Sequence, residues 1–249
     1  MYMSHARKRM FFFSLMTYLT ILVCMLFCVF VTQITAAHAA HVSHTGTGTF
    51  TARGLPRRSR PSIVASDFNH DGKLDVATIG EENGTVSIFP GKGDGSFEDG
   101  SSYAVGEEPS SIVMADFNRD GKADLAVANE DSGTVSILIG RGDGTFKDAA
   151  SYPVGDDPSS IITDDFNGDV KLDLAVANED SGTVSILLGK GDGTFENAVD
   201  YAAGDGPSSI ISVDFNRDGK LDLAVANEDS GAIFVLLGKG DGTFQGSGK

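Results

Sequence analysis

Cysteine is nearly absent: the 249-residue chain has two, Cys24 and Cys28, and both lie in one apolar run near the N-terminus. Beyond that run a disulfide framework and a thiol nucleophile are excluded. Basic residues are also scarce. Against 35 Asp and Glu stand 19 Lys and Arg, a net charge of −16. That balance argues against a nucleic acid or an anionic membrane as the main partner and makes a cation the natural complement. Proline is rare at 7 residues while glycine reaches 31, so many backbone positions call for φ > 0 and tight turns. Outside the N-terminal run no window carries a 3.6-residue apolar stripe, which excludes a helical bundle. The hydrophobic content of 41% with 22% charge excludes wholesale disorder.

The N-terminus has the order of a secretory leader. Arg7, Lys8 and Arg9 precede an uncharged apolar run over residues 11–31, and Ala37-His38-Ala39 supplies an A-x-A cleavage sequence, giving a leader over 1–39. The run is also long enough to cross a bilayer, which leaves an uncleaved anchor, and hence a membrane contact, as the alternative. Cleavage removes three basic and no acidic groups and both cysteines, taking the balance to −19. A secreted chain without disulfides is held by its core, by a metal, or by both.

What the sequence does have is repetition. Segments beginning at Asp67, Asp116, Asp165 and Asp214 read DFNHDGKLD, DFNRDGKAD, DFNGDVKLD and DFNRDGKLD, 49 residues apart. GKGDGSF at 91–97, GRGDGTF at 140–146 and GKGDGTF at 189–195 and 238–244 keep the same step. Within one unit the apolar runs are short (Ile112–Met114, Leu125–Ala128, Val135–Ile139, Tyr152–Val154) and are separated by Asn, Asp, Gly and Ser, the pattern of four strands joined by turns. The central strands are apolar or small on both faces, as in a sheet packed between two neighbours. The fold class is therefore all-β: a β-propeller of about four 49-residue blades over residues 62–249, preceded by a tail or partial blade at 40–61. Gly46–Phe50 resembles the tail of a preceding unit, and the last unit stops before its fourth strand, which the N-terminal tail could supply. An unclosed ring would expose edges and apolar faces that drive homo-oligomerisation.

Each unit carries D-x-N-x-D-G-x-x-D, with oxygen-bearing side chains at positions 1, 3, 5 and 9. A hard cation such as Ca²⁺ takes six to eight oxygens, and such a loop offers carboxylates, an amide and the carbonyl of position 7. The candidate ligands are Asp67, Asn69, Asp71, Lys73 and Asp75; Asp116, Asn118, Asp120, Lys122 and Asp124; Asp165, Asn167, Asp169, Lys171 and Asp173; and Asp214, Asn216, Asp218, Lys220 and Asp222, each lysine through its carbonyl. An EF-hand would need glutamate at position 12, where Thr78, Val127, Val176 and Val225 stand. Asx turns without metal are the competing reading. In the third loop Val170 replaces the glycine of position 6, which predicts a distorted, weaker site.

The D-x-N-x-D-G-x-x-D loop, the LAVAN and TVSILLG strands and the GDGTF turn together resemble the FG-GAP or VCBS repeats of integrin-α-like β-propellers, over about residues 46–249. The resemblance implies a Ca²⁺-bearing propeller whose loops hold the ion at these positions and rigidify a blade corner. It also implies an extracellular adhesion or recognition module. Complete propellers of that family usually have seven blades, which about four and a partial one do not reach.

Other features are weaker. Arg141-Gly142-Asp143 spells the integrin-recognition tripeptide but occupies the position of Lys-Gly-Asp in the other units, so it reads as a repeat turn. The acidic turns such as Glu130–Gly133 read as solvated hairpin ends, and Asn83-Gly84-Thr85 fits a glycosylation acceptor. Beyond the leader the histidines are His41, His44 and His70, and no Ser/His/Asp arrangement stands out from the repeats, so no enzyme is expected. The function expected is a secreted or cell-surface binding module for a protein or glycan, with structural calcium. The alternatives are a polysaccharide-acting enzyme on a propeller scaffold and a partial propeller that works only as an oligomer.

Overall fold

The computed structural model describes residues 62–80 and 84–246, all within the compact unit Arg53–Lys249. The leader, the tail at 40–61 and Asn83 lie outside the described residues. Four antiparallel meanders follow one another without a helix among the described residues. The first holds β1 (Ile63–Ser66), β2 (Asp75–Gly80), β3 (Thr85–Phe89) and β4 (Ser101–Ala104); the second β5 (Pro109–Ala115), β6 (Asp124–Asn129), β7 (Thr134–Leu138) and β8 (Ala150–Pro153). The third holds β9 (Pro158–Asp164), β10 (Asp173–Asn178), β11 (Thr183–Leu187) and β12 (Val199–Ala202); the fourth β13 (Pro207–Val213), β14 (Asp222–Asn227), β15 (Ala232–Gly238) and β16 (Phe244–Gly246). The expected four strands per unit are thus present, and the sheets form a propeller-like arc.

The repeated Asp-Leu-Ala-Val-Ala-Asn explains how blades stack. In β6, Leu125 and Val127 point to the first blade, where they meet Ala77, Ile79, Val86 and Ile88. Ala126 and Ala128 point the other way, with Val135 and Ile137, against Ile161, Leu174, Val176 and Leu187 of the third blade. Large residues on one face thus fit small residues on the next, which lets sheets approach closely without voids. The third and fourth blades repeat the arrangement through Ala175, Ala177, Val184 and Ile186 against Ile210, Leu223, Val225 and Leu236. Each buried Leu or Val contributes about 1.5–3 kcal/mol relative to exposure. Aromatic triads pin the outer part of each interface. Phe146 lies edge-on to Phe68 at 5.6 Å and to Tyr103 at 5.5 Å, both from the preceding blade, and Phe195 and Phe244 repeat this one and two units on.

The innermost strands β1, β5, β9 and β13 run in sequence along an open apolar channel of about 600 Å³, lined by Val64, Ile112, Met114, Ile162 and Ile211. Among the described residues the arc is not closed into a ring. The last blade also differs from the expectation for its fourth strand. It is completed from the chain itself, by β16 pairing with Leu236–Gly238. This is the GDGTF phenylalanine, which in the other blades makes only an isolated bridge such as Gly91 to Phe97, extended here by two residues.

Candidate metal loops

Each aspartate loop is the turn between the innermost strand of a blade and the next. In the first, Asp67 accepts the amides of Asp71 and Gly72 at 3.0 and 2.8 Å, Asn69 accepts that of Asp71 at 2.9 Å, and Asp71 accepts that of Lys73 at 2.9 Å. These successive Asx hydrogen bonds wind the chain so that positions 1, 3 and 5 turn inward together. The other loops repeat them at Asp116, Asn118 and Asp120, at Asp165, Asn167 and Asp169, and at Asp214, Asn216 and Asp218. The lysine of position 7 returns an ammonium to the aspartate of position 5, at 3.1 Å for Lys73 and 2.7 Å for Lys171. The Lys73 amide holds the Asp71 carboxyl below the ordinary range, and the Lys171 ammonium does so for Asp169.

Position 9 has a different task. Asp75, Asp124, Asp173 and Asp222 are buried, and each carboxylate accepts one backbone amide from position 2 of its own loop and one from the glycine that opens the GDGTF hairpin. Asp124 accepts Phe117 N at 3.0 Å and Gly140 N at 2.8 Å; the others do the same for Phe68 and Gly91, Phe166 and Gly189, and Phe215 and Gly238. Position 9 therefore brackets the loop to the GDGTF turn of its own blade. A second link crosses blades, where Gly144 N donates to Phe68 O at 3.0 Å and Gly193 N to Phe117 O at 3.2 Å. The two repeated motifs are halves of one corner, a relation that sequence spacing alone does not show.

The donor set of each loop is all oxygen and suits a hard cation in kind. Among the described residues, however, no three carboxylate or imidazole groups assemble into a cluster that could hold a metal. A cation at these loops would draw on the asparagine amide and the lysine carbonyl as well as the carboxylates of positions 1 and 5. Position 9 could add only lone pairs left over from its bracket.

The third loop keeps the hydrogen bonds of the others although Val170 stands at position 6. Its amide donates to Asp165 at 2.8 Å as the position-6 glycines do, and Asp169 accepts Lys171 N at 2.9 Å. The valine adopts φ 67° in the glycine conformation while its side chain stays 78% exposed, so the cost is backbone strain and not a clash. Val170→Gly should raise stability by about 1 kcal/mol, read as a shift in the urea midpoint at constant slope. Position 4 is left-handed too, at His70, Arg119 and Arg217 as well as Gly168. Because three different residue types occupy it, the sequence does not reveal this requirement. In the GRGDGTF turn, Arg141 donates to Phe146 O at 3.0 Å and Asp143 accepts Thr145 N at 3.0 Å, so both charged residues serve the turn.

Burial, with repulsion from Asp120 and Asp116, pushes the Asp124 carboxyl up to about 6, and burial with Asp169 and Asp165 does the same to Asp173. A carboxyl whose folded value is raised takes up a proton that the unfolded chain does not, so its ionisation costs stability as pH rises through that range. In chelator, stability should therefore increase as pH falls from about 7 to about 5, followed by urea unfolding across that range. A flat profile would contradict it.

An FG-GAP-like repeat model matches the chain four times, at residues 67–127, 116–176, 165–225 and 214–249. No curated protein matches the chain. Among solved structures it is similar to a lectin from Agrocybe aegerita that recognises non-reducing terminal N-acetylglucosamine. The two are 22% identical with a TM-score of 0.50, over 73% of this chain and 49% of the lectin. It is also similar to a functionally unknown protein from Desulfotomaculum acetoxidans (18%, TM-score 0.54, 73% of this chain and 55% of that one). A candidate 6-phosphogluconolactonase from Bacteroides uniformis matches at 17% and a TM-score of 0.56, over 75% and 52%. The chain spans about half the length of these structures, and at such identities they speak for the fold alone. With its four matched repeats built as four successive blades, the chain belongs to the FG-GAP-like repeat family.

Proposed function

We propose that this protein is an exported, calcium-stabilised binding module, secreted or held at the cell surface, that recognises a protein or glycan. The supporting observation is the uniformity of the four loops. The same oxygen donors are wound by the same hydrogen bonds in every blade, even where Val170 strains the backbone to keep them. Calcium would be bound by the side chains of positions 1, 3 and 5 and the carbonyl of position 7. It would displace the lysine ammonium from position 5 and neutralise a strongly acidic chain. Its role would be to stiffen the corners between blades, leaving recognition to the exposed loops. The likeness to a glycan-binding lectin makes glycans the first ligands to screen.

The test uses the chain exported under its own leader and stripped of metal. Calorimetric titration should show one Ca²⁺ per loop, with a rise in the unfolding midpoint that chelator reverses. Absence of heat together with an unchanged midpoint would reduce the loops to Asx turns. A glycan array and a protein-ligand screen on the Ca²⁺-loaded chain then address recognition.

A further inference from the structure

The chain contains one interface three times, and both halves of a fourth copy stand at its two ends. At every internal interface one half is the set Phe117, Ala126, Ala128, Val135 and Ile137 or its equivalents one unit earlier or later. The same set in the last blade is Phe215, Ala224, Ala226, Ile233 and Val235, which no following blade covers among the described residues. Phe215 is 47% exposed where Phe166 is 2%, and Ile233 is 75% exposed where Val184 is fully buried. The complementary half comprises Ile112, Leu125, Val127, Leu138 and Phe146 and equivalents, and its first-blade copy begins with Ile63, Val76 and Thr78. Ile63 is 64% exposed where Ile112 is 4%.

We propose that a second copy of this chain covers these faces, the last blade of each copy packing on the first blade of the other to close one ring of two chains. Size and chemistry both fit. The contact continues an interface whose two halves already match three times, with small residues against large. Heterologous contacts of this kind close into a ring where the rotation allows. Two copies bring eight sheets, within the range of propellers. The contact is apolar and requires neither calcium nor a recognised ligand.

Light scattering on the full exported chain after size exclusion, over a hundredfold range of concentration, should give the mass of two chains. Ile233→Asp and, separately, Ala226→Glu alter positions already exposed in the single chain. Both should halve the mass while leaving the far-ultraviolet circular dichroism unchanged. A wild-type mass of one chain at every concentration would overturn the proposal. So would a mass that keeps growing with concentration, or folded variants that remain paired.

Discussion

Gly140→Ala will destabilise the protein by about 3 kcal/mol or more, a fall of roughly 6–12 °C in unfolding midpoint for a domain of this size. A Cβ there would lie inside the van der Waals radius of the Ala123 carbonyl oxygen, where the GDGTF hairpin crosses the end of the aspartate loop. That obstacle is backbone and cannot swing aside. The glycine is also the residue whose amide reaches Asp124, so any shift that relieves the overlap lengthens a buried hydrogen bond. Gly91, Gly189 and Gly238 meet the carbonyls of Leu74, Leu172 and Leu221 in the same way. Gly121 is the control. It has φ 81° with open space around its missing Cβ, so Gly121→Ala should cost only about 1 kcal/mol. Urea unfolding of both variants tests the ranking, and equal losses would mean that the close approach is not what fixes the corner.

Asp124→Ala should cost about 2–3 kcal/mol. It abandons two buried amides, Phe117 N and Gly140 N, each worth roughly 1–3 kcal/mol when unsatisfied. Release of a carboxylate that burial strains at neutral pH offsets part of that loss. The variant should also lose Asp124's share of the pH dependence. Asp120→Ala, which removes a surface pair with Lys122, should stay within about 1 kcal/mol of wild type in chelator. If the two aspartates proved equivalent without metal, position 9 would not be a structural bracket.

The aspartate loops show where one-dimensional reading stops. Their period, turn chemistry and oxygen content are local and are plain in the sequence. The division of labour within them is not: Asp71 and Asp75 are the same residue type four apart, yet one turns into its own loop and the other is buried and reaches Gly91, 16 residues later, where the GKGDGSF hairpin begins. The left-handed position 4 is hidden for a related reason, since His70, Arg119 and Arg217 carry no compositional signal for positive φ. Val170 was legible as an anomaly, but its consequence was not. Hydrogen bonds from the Asp169 and Val170 amides to Asp165 hold the loop in shape and convert the anomaly into strain.

By itself the sequence determined the repeat, the all-β blades and the acidic oxygen-rich turns, because hydrophobic period and turn residues act over a few neighbours. Only the tertiary structure decided what those features meet. Leu125 and Ala126 are adjacent in the chain, but which one faces the preceding blade and which the following is set by the pleat and by the sheets on either side. Gly140, which opens the GRGDGTF segment, is required by a carbonyl 17 residues earlier, and Phe146 by rings from the blade before it. The last blade repeats the sequence of the others, yet its Phe215 and Ile233 are exposed because no described sheet follows it. Burial is a property of the assembled neighbours, not of the residue.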